Sequence, residues 1–281
     1  MQITGKISEV RSQVKEWKRE GLTVGFVPTM GYLHEGHGSL MKRARSECDK
    51  VVASIFVNPM QFGANEDLDS YPRDLEADAK LCESIGVDLI FHPEVEEMYA
   101  EGFCSFVDMN GLTKELCGKS RPIHFRGVCT VVNKLFNIVT PDKAFFGQKD
   151  AQQLAVIRRM VKDLNMDVEI VGCPIIREED GLAKSSRNTY LNEEERKAAL
   201  ILSRTIRLGE KLVSEGVKDA GELVAAMKAN IEKEPLAKID YVEAVSMDDI
   251  EKVDTIGKNT LVAMAVYIGK TRLIDNFIVE S

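Results

Sequence analysis

The sequence predicts an α/β protein in which a parallel sheet is covered by helices on both faces and is followed by a smaller α+β C-terminal domain. Three observations predict it. Short apolar runs of strand length alternate with segments of helical periodicity through the first 175 or so residues. Glycine and proline punctuate the points where one kind of segment hands over to the other. After Pro174 the texture changes to a polar loop, two charged helical stretches and three strands that follow one another on short turns. The first part is therefore Rossmann-like, and ligands are expected beyond the carboxyl ends of its strands.

The elements follow in order. Ile7, Val10, Val14 and Trp17 recur at helical spacing and stop at Gly21, giving an amphipathic helix ahead of the first strand. Residues 22–27 form that strand, Pro28 and Gly31 break it, and Leu40, Met41 and Ala44 mark the helix that follows. Further strands are expected at 51–57, 87–91, 105–109, 143–146 and 168–173. Between them lie helical patterns carried by Leu75, Ala79, Cys82 and Ile85, by Val128, Val132, Leu135 and Val139, and by Leu154, Ile157, Val161 and Leu164. A boundary near residue 175 separates domain 1–175 from domain 176–281. The second begins with a loop at 177–192, continues with helices at 193–215 and 220–231, and ends in strands at 240–246, 260–267 and 272–279, an antiparallel sheet beside the two helices.

Composition narrows the function classes. The chain of 281 residues is 44% hydrophobic and 29% charged, as soluble globular proteins are. No apolar run approaches the roughly 20 residues needed to span a bilayer, and the N-terminal residues lack a signal-peptide core, so a cytoplasmic protein without membrane contact is expected. A net charge of −8 disfavours nucleic acid as a partner, because sequence-independent binding needs a basic surface. The six cysteines form no C-x-x-C pair, which argues against a zinc ribbon or a disulfide framework and reads them as small buried hydrophobes.

The most informative segment is TMGYLHEGH. Two of only four histidines, His34 and His37, sit three residues apart where a strand hands over to a helix. The first turn of that helix offers unpaired backbone N–H groups and the positive end of the macrodipole, which attract anions. Gly31, Gly36 and Gly38 would let phosphate oxygens approach the backbone, and a pair of imidazoles can donate hydrogen bonds to charge developing on a leaving phosphate oxygen. The spacing H-E-G-H is one residue short of the H-E-x-x-H zinc signature, so metal ligation is disfavoured.

Three further segments offer matching chemistry. FVNPMQF follows the second strand and presents Asn58 and Gln61, neutral amides suited to a substrate with hydroxyls and a carboxylate; an ordinary polar turn is the competing reading. FFGQKDAQQL ends a strand at Gly147 and opens a helix with Lys149, Asp150, Gln152 and Gln153, in which Lys149 can neutralise phosphate charge and Asp150 can instead cap the helix. KSSRN places Lys184 and Arg187 around Ser185 and Ser186 in a polar loop just after Gly181, able to close over a triphosphate or simply to be a solvated basic turn.

In the order PTMGYLHEGH, FVNPMQFG, YPRD, RPIHFRGV, FFGQKD and SSRN, over residues 22 to 192, the chain resembles the pantothenate synthetase (pantoate–β-alanine ligase) family. The HxGH element is similar to that of the wider group of HIGH-type adenylating enzymes and nucleotidylyltransferases. The resemblance implies ATP-dependent condensation of pantoate with β-alanine through a pantoyl adenylate, with ATP as substrate and Mg2+ alongside it. It implies that Met30, Gly31, Tyr32, Leu33, His34, Glu35, Gly36 and His37 hold ATP, with His37, His34 and Lys149 acting on the phosphates. It further implies that Gln61 and Gln153 grip pantoate, that Gly147, Gln148, Lys149 and Asp150 contact ribose and adenine, and that Ile176 meets the adenine through its backbone. Lys184, Ser185, Ser186 and Arg187 would clamp the triphosphate, Arg121 and His124 would match the family, Asp78 would fall where a metal-side carboxylate is expected, and the protein would be a homodimer. Family members usually carry Met at the position of Lys184, so this loop has an extra cation. A nucleotidylyltransferase would use the same HxGH turn but would need a basic pocket where this chain has Gln61 and Gln153, and a binding module without catalysis would need no imidazole at the leaving group.

Overall fold

Alternating strands and helices assemble as the periodicities require, and the computed structural model describes residues 1–64 and 66–280. The chain separates into two compact units. The first comprises Met1–Met109, Arg121–Gln148 and Val156–Pro174; the second comprises Asn110–Ser120, Lys149–Ala155 and the chain from Ile175 onward. Two stretches that precede residue 175 thus belong with the C-terminal unit, where the sequence suggested a single cut.

The first unit is built on six parallel strands. In chain order its elements are β1 (Gln2–Thr4), α1 (Ile7–Arg19), β2 (Val24–Thr29), α2 (Glu35–Glu47), β3 (Lys50–Ile55), α3 (Leu75–Ile85), β4 (Leu89–Phe91) and α4 (Val95–Met98). After α5 (Leu116–Ser120), which belongs to the second unit, come α6 (His124–Val139), β5 (Lys143–Gly147), α7 (Ala151–Asp163, of which the residues up to Ala155 belong to the second unit) and β6 (Glu169–Cys173). The strand order is β1-β4-β3-β2-β5-β6. From central β2 the chain proceeds outward on one side through β3 and returns to the other side with β5, so the order reverses at β2. That switch point leaves a crevice beyond its carboxyl end. Helices α2 and α3 cover one face and α1 and α6 the other. Val27, Met41, Ala44, Ala53, Ile90 and Phe145 pack in the first of these layers, all essentially inaccessible. Burial of each large apolar side chain contributes roughly 1.5–3 kcal/mol.

Two local readings change. Residues 105–109, expected as a strand, pair with no strand among the described residues; the Val107 N–H donates to the Thr130 hydroxyl at 3.0 Å and the Met109 N–H to Asp108 Oδ1 at 3.0 Å. β1 was not anticipated, because three residues carry too little periodicity to register; its place comes from pairing with β4.

The second unit places α8 (Glu193–Ala198), α9 (Leu200–Ser214) and α10 (Ala220–Ile231) with an antiparallel sheet of β7 (Ala237–Ser246), β8 (Thr260–Ile268) and β9 (Thr271–Val279), in the order β7-β8-β9. Its core joins Leu202, Ile206, Leu223, Met227 and Ile231 of the helices to Val242, Val262, Met264 and Phe277 of the sheet. The helical stretch expected at 193–215 is two helices that meet at Ala199. Among the described residues no helix is long and apolar enough to cross a membrane.

The cysteines divide by environment. Cys48, Cys82, Cys129 and Cys173 are buried, as read, and burial pushes the Cys82 and Cys129 thiols up to about 12. Cys117 is half-buried and Cys104 is exposed, which departs from the expectation for all six.

Candidate active site

The turn after β2 is shaped by backbone chemistry before any ligand is considered. Gly31 has φ +82°, and a Cβ there would lie 2.9 Å from Ile55 Cγ2 and 3.1 Å from Asp78 Oδ2, so only glycine fits. Tyr32 follows with φ 50°, a left-handed conformation that costs a side-chain-bearing residue about 1 kcal/mol. Asp78 of α3 supports that conformation: one carboxylate oxygen accepts the Tyr32 N–H at 2.9 Å and the other the Leu33 N–H at 2.6 Å. Its side chain is buried, and burial pushes the carboxyl above its usual range against the pull of the Leu33 and Tyr32 amides. Asp78 is expected on the metal side; in the structure both of its oxygens accept backbone N–H groups of the turn after β2. Among the described residues no group of three or more His, Cys, Asp or Glu is arranged to hold a metal ion.

The two histidines form a reciprocal cap at the start of α2. His34 is the N-cap residue, and its Nδ1 accepts the Gly36 N–H at 3.1 Å, while His37 Nδ1 accepts the His34 N–H at 3.3 Å. A ring nitrogen that accepts carries no proton, so each neutral imidazole keeps its proton on Nε2. The rings lie 4.2 Å apart between centroids, tilted by 42°. One feature of the sequence thus satisfies orphan helix donors and fixes two N–H donors of a single tautomer side by side. Gly36 lies in the first turn as expected. Gly38 does not serve phosphate approach: it is buried against α3, where a Cβ would meet Ile85 Cδ1 at 3.3 Å. Met30, Tyr32 and Leu33 are half-buried along the same turn and Glu35 is exposed.

The segment after β3 is organised differently. Pro59–Gln61 is a single 3-10 turn capped by Asn58, whose Oδ1 accepts the Met60 N–H at 3.3 Å and the Tyr99 hydroxyl at 2.7 Å. Its Nδ2 donates to Gln61 Oε1 at 3.0 Å and to the Gly127 carbonyl at 3.2 Å, and the residue is 1% exposed. Both polar side-chain atoms of Asn58 are bonded internally, and Nδ2 orients the Gln61 side chain. Gln61 Nε2 donates to Met30 Sδ at 3.1 Å. A thioether is a weak acceptor, so this amide exchanges readily to an oxygen. Helix α6 approaches the turn so closely that a Cβ on Gly127 would lie 2.3 Å from the Met60 carbonyl oxygen. The Gln61 carbonyl meets His124 Nδ1 at 3.0 Å and accepts from Arg121 at 3.3 Å, and Arg121 Nε also donates to Glu66 at 2.9 Å. Arg121 and His124 therefore hold the loop's shape. At the end of β5, Gly147 has nothing within 4 Å of where a Cβ would stand, and Gln148 beside it is half-buried.

In the second unit, Lys149 Nζ lies 4.0 Å from Asp150 Oδ2, with the Lys149 side chain 22% exposed. Gln152 is scaffold: its Nε2 donates to the carbonyls of Leu112 and Glu115 and its Oε1 accepts the Cys117 N–H, tying down the 110–120 segment. Gln153, half-buried, makes no side-chain hydrogen bond among the described residues. Residues 176–184 form a narrow hairpin in which Lys184 N–H donates to the Ile176 carbonyl at 2.9 Å and Arg177 bridges Ala183. Ile176, expected to meet an adenine through its backbone, has its carbonyl paired within the hairpin. Ser185 Oγ accepts the Arg187 N–H at 3.3 Å and caps the 3-10 turn Ser186–Tyr190. Lys184, Ser185 and Arg187 are half-buried and Ser186 is buried. Asn188 donates to Glu178 and to the Ala183 carbonyl, fastening the loop to the hairpin.

A sequence profile of the Pantoate-beta-alanine ligase family matches residues 2–278. The chain is 65% identical over 277 residues to the pantothenate synthetase of Ruminiclostridium cellulolyticum, covering 99% of this chain and 98% of that protein, and 61% identical over 280 residues to that of Enterococcus faecalis, covering 100% and 99%. Among solved structures it is similar to pantothenate synthetase from Thermus thermophilus, with a TM-score of 0.95, 45% identity and full coverage of both chains. It is also similar to the pantoate-beta-alanine ligase of Francisella tularensis complexed with beta-gamma ATP and beta-alanine, with a TM-score of 0.82, 35% identity and coverage of 99% and 97%.

Proposed function

Because the chain belongs to the pantoate–β-alanine ligase family, we propose that it joins pantoate to β-alanine in two steps driven by ATP. A pantoate carboxylate oxygen attacks the α-phosphorus, the bond to the bridging oxygen breaks, and pyrophosphate leaves with that electron pair. The β-alanine nitrogen then attacks the acyl carbon of the adenylate, AMP leaves, and the nitrogen gives up a proton. In-line displacement at phosphorus needs positioning and charge neutralisation rather than a protein nucleophile.

The observation that carries this reading is the reciprocal cap of His34 and His37, which fixes two Nε2–H donors at the positive end of α2, beyond the switch-point strand. We assign these donors to phosphate oxygens, with His37 stabilising the leaving group and residues 30–37 lining the nucleotide. Gln61 is assigned to pantoate: its amide needs only to exchange a thioether for an oxygen. Gln153 is assigned to the same substrate, Gly147, Gln148 and Asp150 to the nucleoside, and Lys149 and residues 184–187 to the triphosphate. Lys184 adds a cation to that loop. The described residues offer no carboxylate cage for Mg2+; the reading has it travel with the nucleotide, held by phosphates and water. A homodimer in the cytoplasm is part of the same proposal, from family membership.

The test is exchange of labelled pyrophosphate into ATP without β-alanine. Exchange that requires pantoate is expected; ATP turnover only when both substrates are present would remove the adenylate.

A further inference from the structure

β9 carries two adjacent polar residues, Asp275 and Asn276, that no role above uses. They are 1% and 5% exposed, in a strand whose neighbours Leu273, Phe277 and Val279 are core residues. Asp275 forms a two-pronged pair with Arg177, Nη1 to Oδ2 at 2.7 Å and Nη2 to Oδ1 at 2.9 Å, and Arg177 Nη1 also donates to the Gly181 carbonyl at 3.1 Å. Arg177 and Gly181 lie in the hairpin whose second arm runs into residues 184–187. The Asn276 N–H donates to Asp275 Oδ1 at 2.9 Å, and Asn276 Nδ2 donates to the carbonyl of Lys149 at 2.9 Å. One strand therefore grips, through neighbouring side chains, both the backbone of Lys149 and the base of the basic loop.

Stability alone does not explain this pattern. A buried ion pair contributes about as much as a well-packed apolar pair of the same volume, or less. What a fully bonded polar network adds is a single geometry.

We propose that Asn276, backed by the Asp275–Arg177 pair, is a positioning residue that holds Lys149 in fixed register with the 184–187 loop so that both cationic groups meet one triphosphate. The inference rests on the assignment of Lys149 to the phosphates. It requires a donor at 276, because the partner is a carbonyl oxygen. Asp at that position has nearly the same shape and sets a carboxylate against the carbonyl.

The experiment is a double-mutant cycle read by pantoate-dependent pyrophosphate exchange, using wild type, Asn276→Asp, Lys149→Ala and the double variant, with Asn276→Ser, smaller but still a donor, as a second probe. Thermal unfolding is followed on each. Expected are a fall in exchange kcat of about 10-fold or more for Asn276→Asp, an unchanged pantoate KM, a smaller fall for Asn276→Ser, and less than about twofold further loss when Asn276→Asp is placed on Lys149→Ala. Should Asn276→Asp not fold, Asn276→Ser carries the cycle. Losses that multiply in the double variant overturn the proposal, as does full exchange in either Asn276 variant or in Lys149→Ala. Absence of exchange in wild type would instead remove the adenylate reading on which it rests.

Discussion

Two neighbouring strand ends of the first unit, after β2 and after β3, look alike as sequence: each offers polar side chains between glycines and prolines beyond the carboxyl end of a parallel strand. In the structure they divide the labour. After β2, the histidines commit Nδ1 to the backbone, which keeps the ring proton on Nε2 as a donor. After β3, Asn58 spends both polar side-chain atoms on Tyr99, Met60, Gln61 and Gly127, and what remains for chemistry is the Gln61 amide on a weak sulfur partner. The lesson is that a polar residue at a strand end is assigned by what each of its atoms is bonded to, not by its type.

Substitutions sharpen that contrast. Gly127→Ala drives a methyl group into the Met60 carbonyl; it should cost about 3 kcal/mol or more of unfolding free energy in urea, and a wild-type midpoint would show that the close approach of α6 is not what shapes the second turn. His37→Ala should do the opposite, lowering exchange kcat about 10²-fold with stability within roughly 1 kcal/mol of wild type. An effect confined to KM would make His37 a binding residue only. Asn58→Ala removes four internal hydrogen bonds and should destabilise by about 2 kcal/mol, raising the pantoate KM through the unanchored Gln61 while the ATP KM stays put. A raised ATP KM would reverse the assignment of the two ends.

The smallest effect concerns pH. Burial works against ionised Glu66, but the hydrogen bond and charge of Arg121 outweigh it and hold the carboxyl below its ordinary value. A depressed folded value means the unfolded chain takes up the proton first. This contribution is therefore complete above the ordinary glutamate pKa and fades as pH falls through the folded one. Glu66→Gln should flatten that part of the acid limb of a Tm-against-pH curve; an unchanged limb would show that Glu66 does not brace the Gln61 loop.

Much of this was legible in the sequence, for physical reasons. Apolar periodicity located the strands of the parallel sheet except β1, because a strand buried on both faces leaves a continuous run. The histidine turn was legible because a strand, a glycine and a helix pattern meet there. What depended on distant partners was not. Residues 105–109 read as a short strand, yet pairing is decided by neighbours far along the chain. Asp78 sits in a helix pattern that says nothing of the amides it accepts, 45 and 46 residues earlier. Asn58 and Gln61 share one motif and differ only in burial and bonding. Asp275 and Asn276 did leave a trace, two adjacent polar residues inside the otherwise apolar stretch 273–279 of β9, although their partners Arg177 and Lys149 lie 98 and 127 residues away.

The chain has four histidines, and they provide the most direct measurement. Nitrogen NMR of labelled imidazoles, followed as ATP is added, should move the Nε2 signals of His34 and His37 while His92, held on the Ile55 carbonyl, and His124, held on the Gln61 carbonyl, stay in place. Saturation with nucleotide that leaves His34 and His37 unmoved would contradict their assignment to the phosphates.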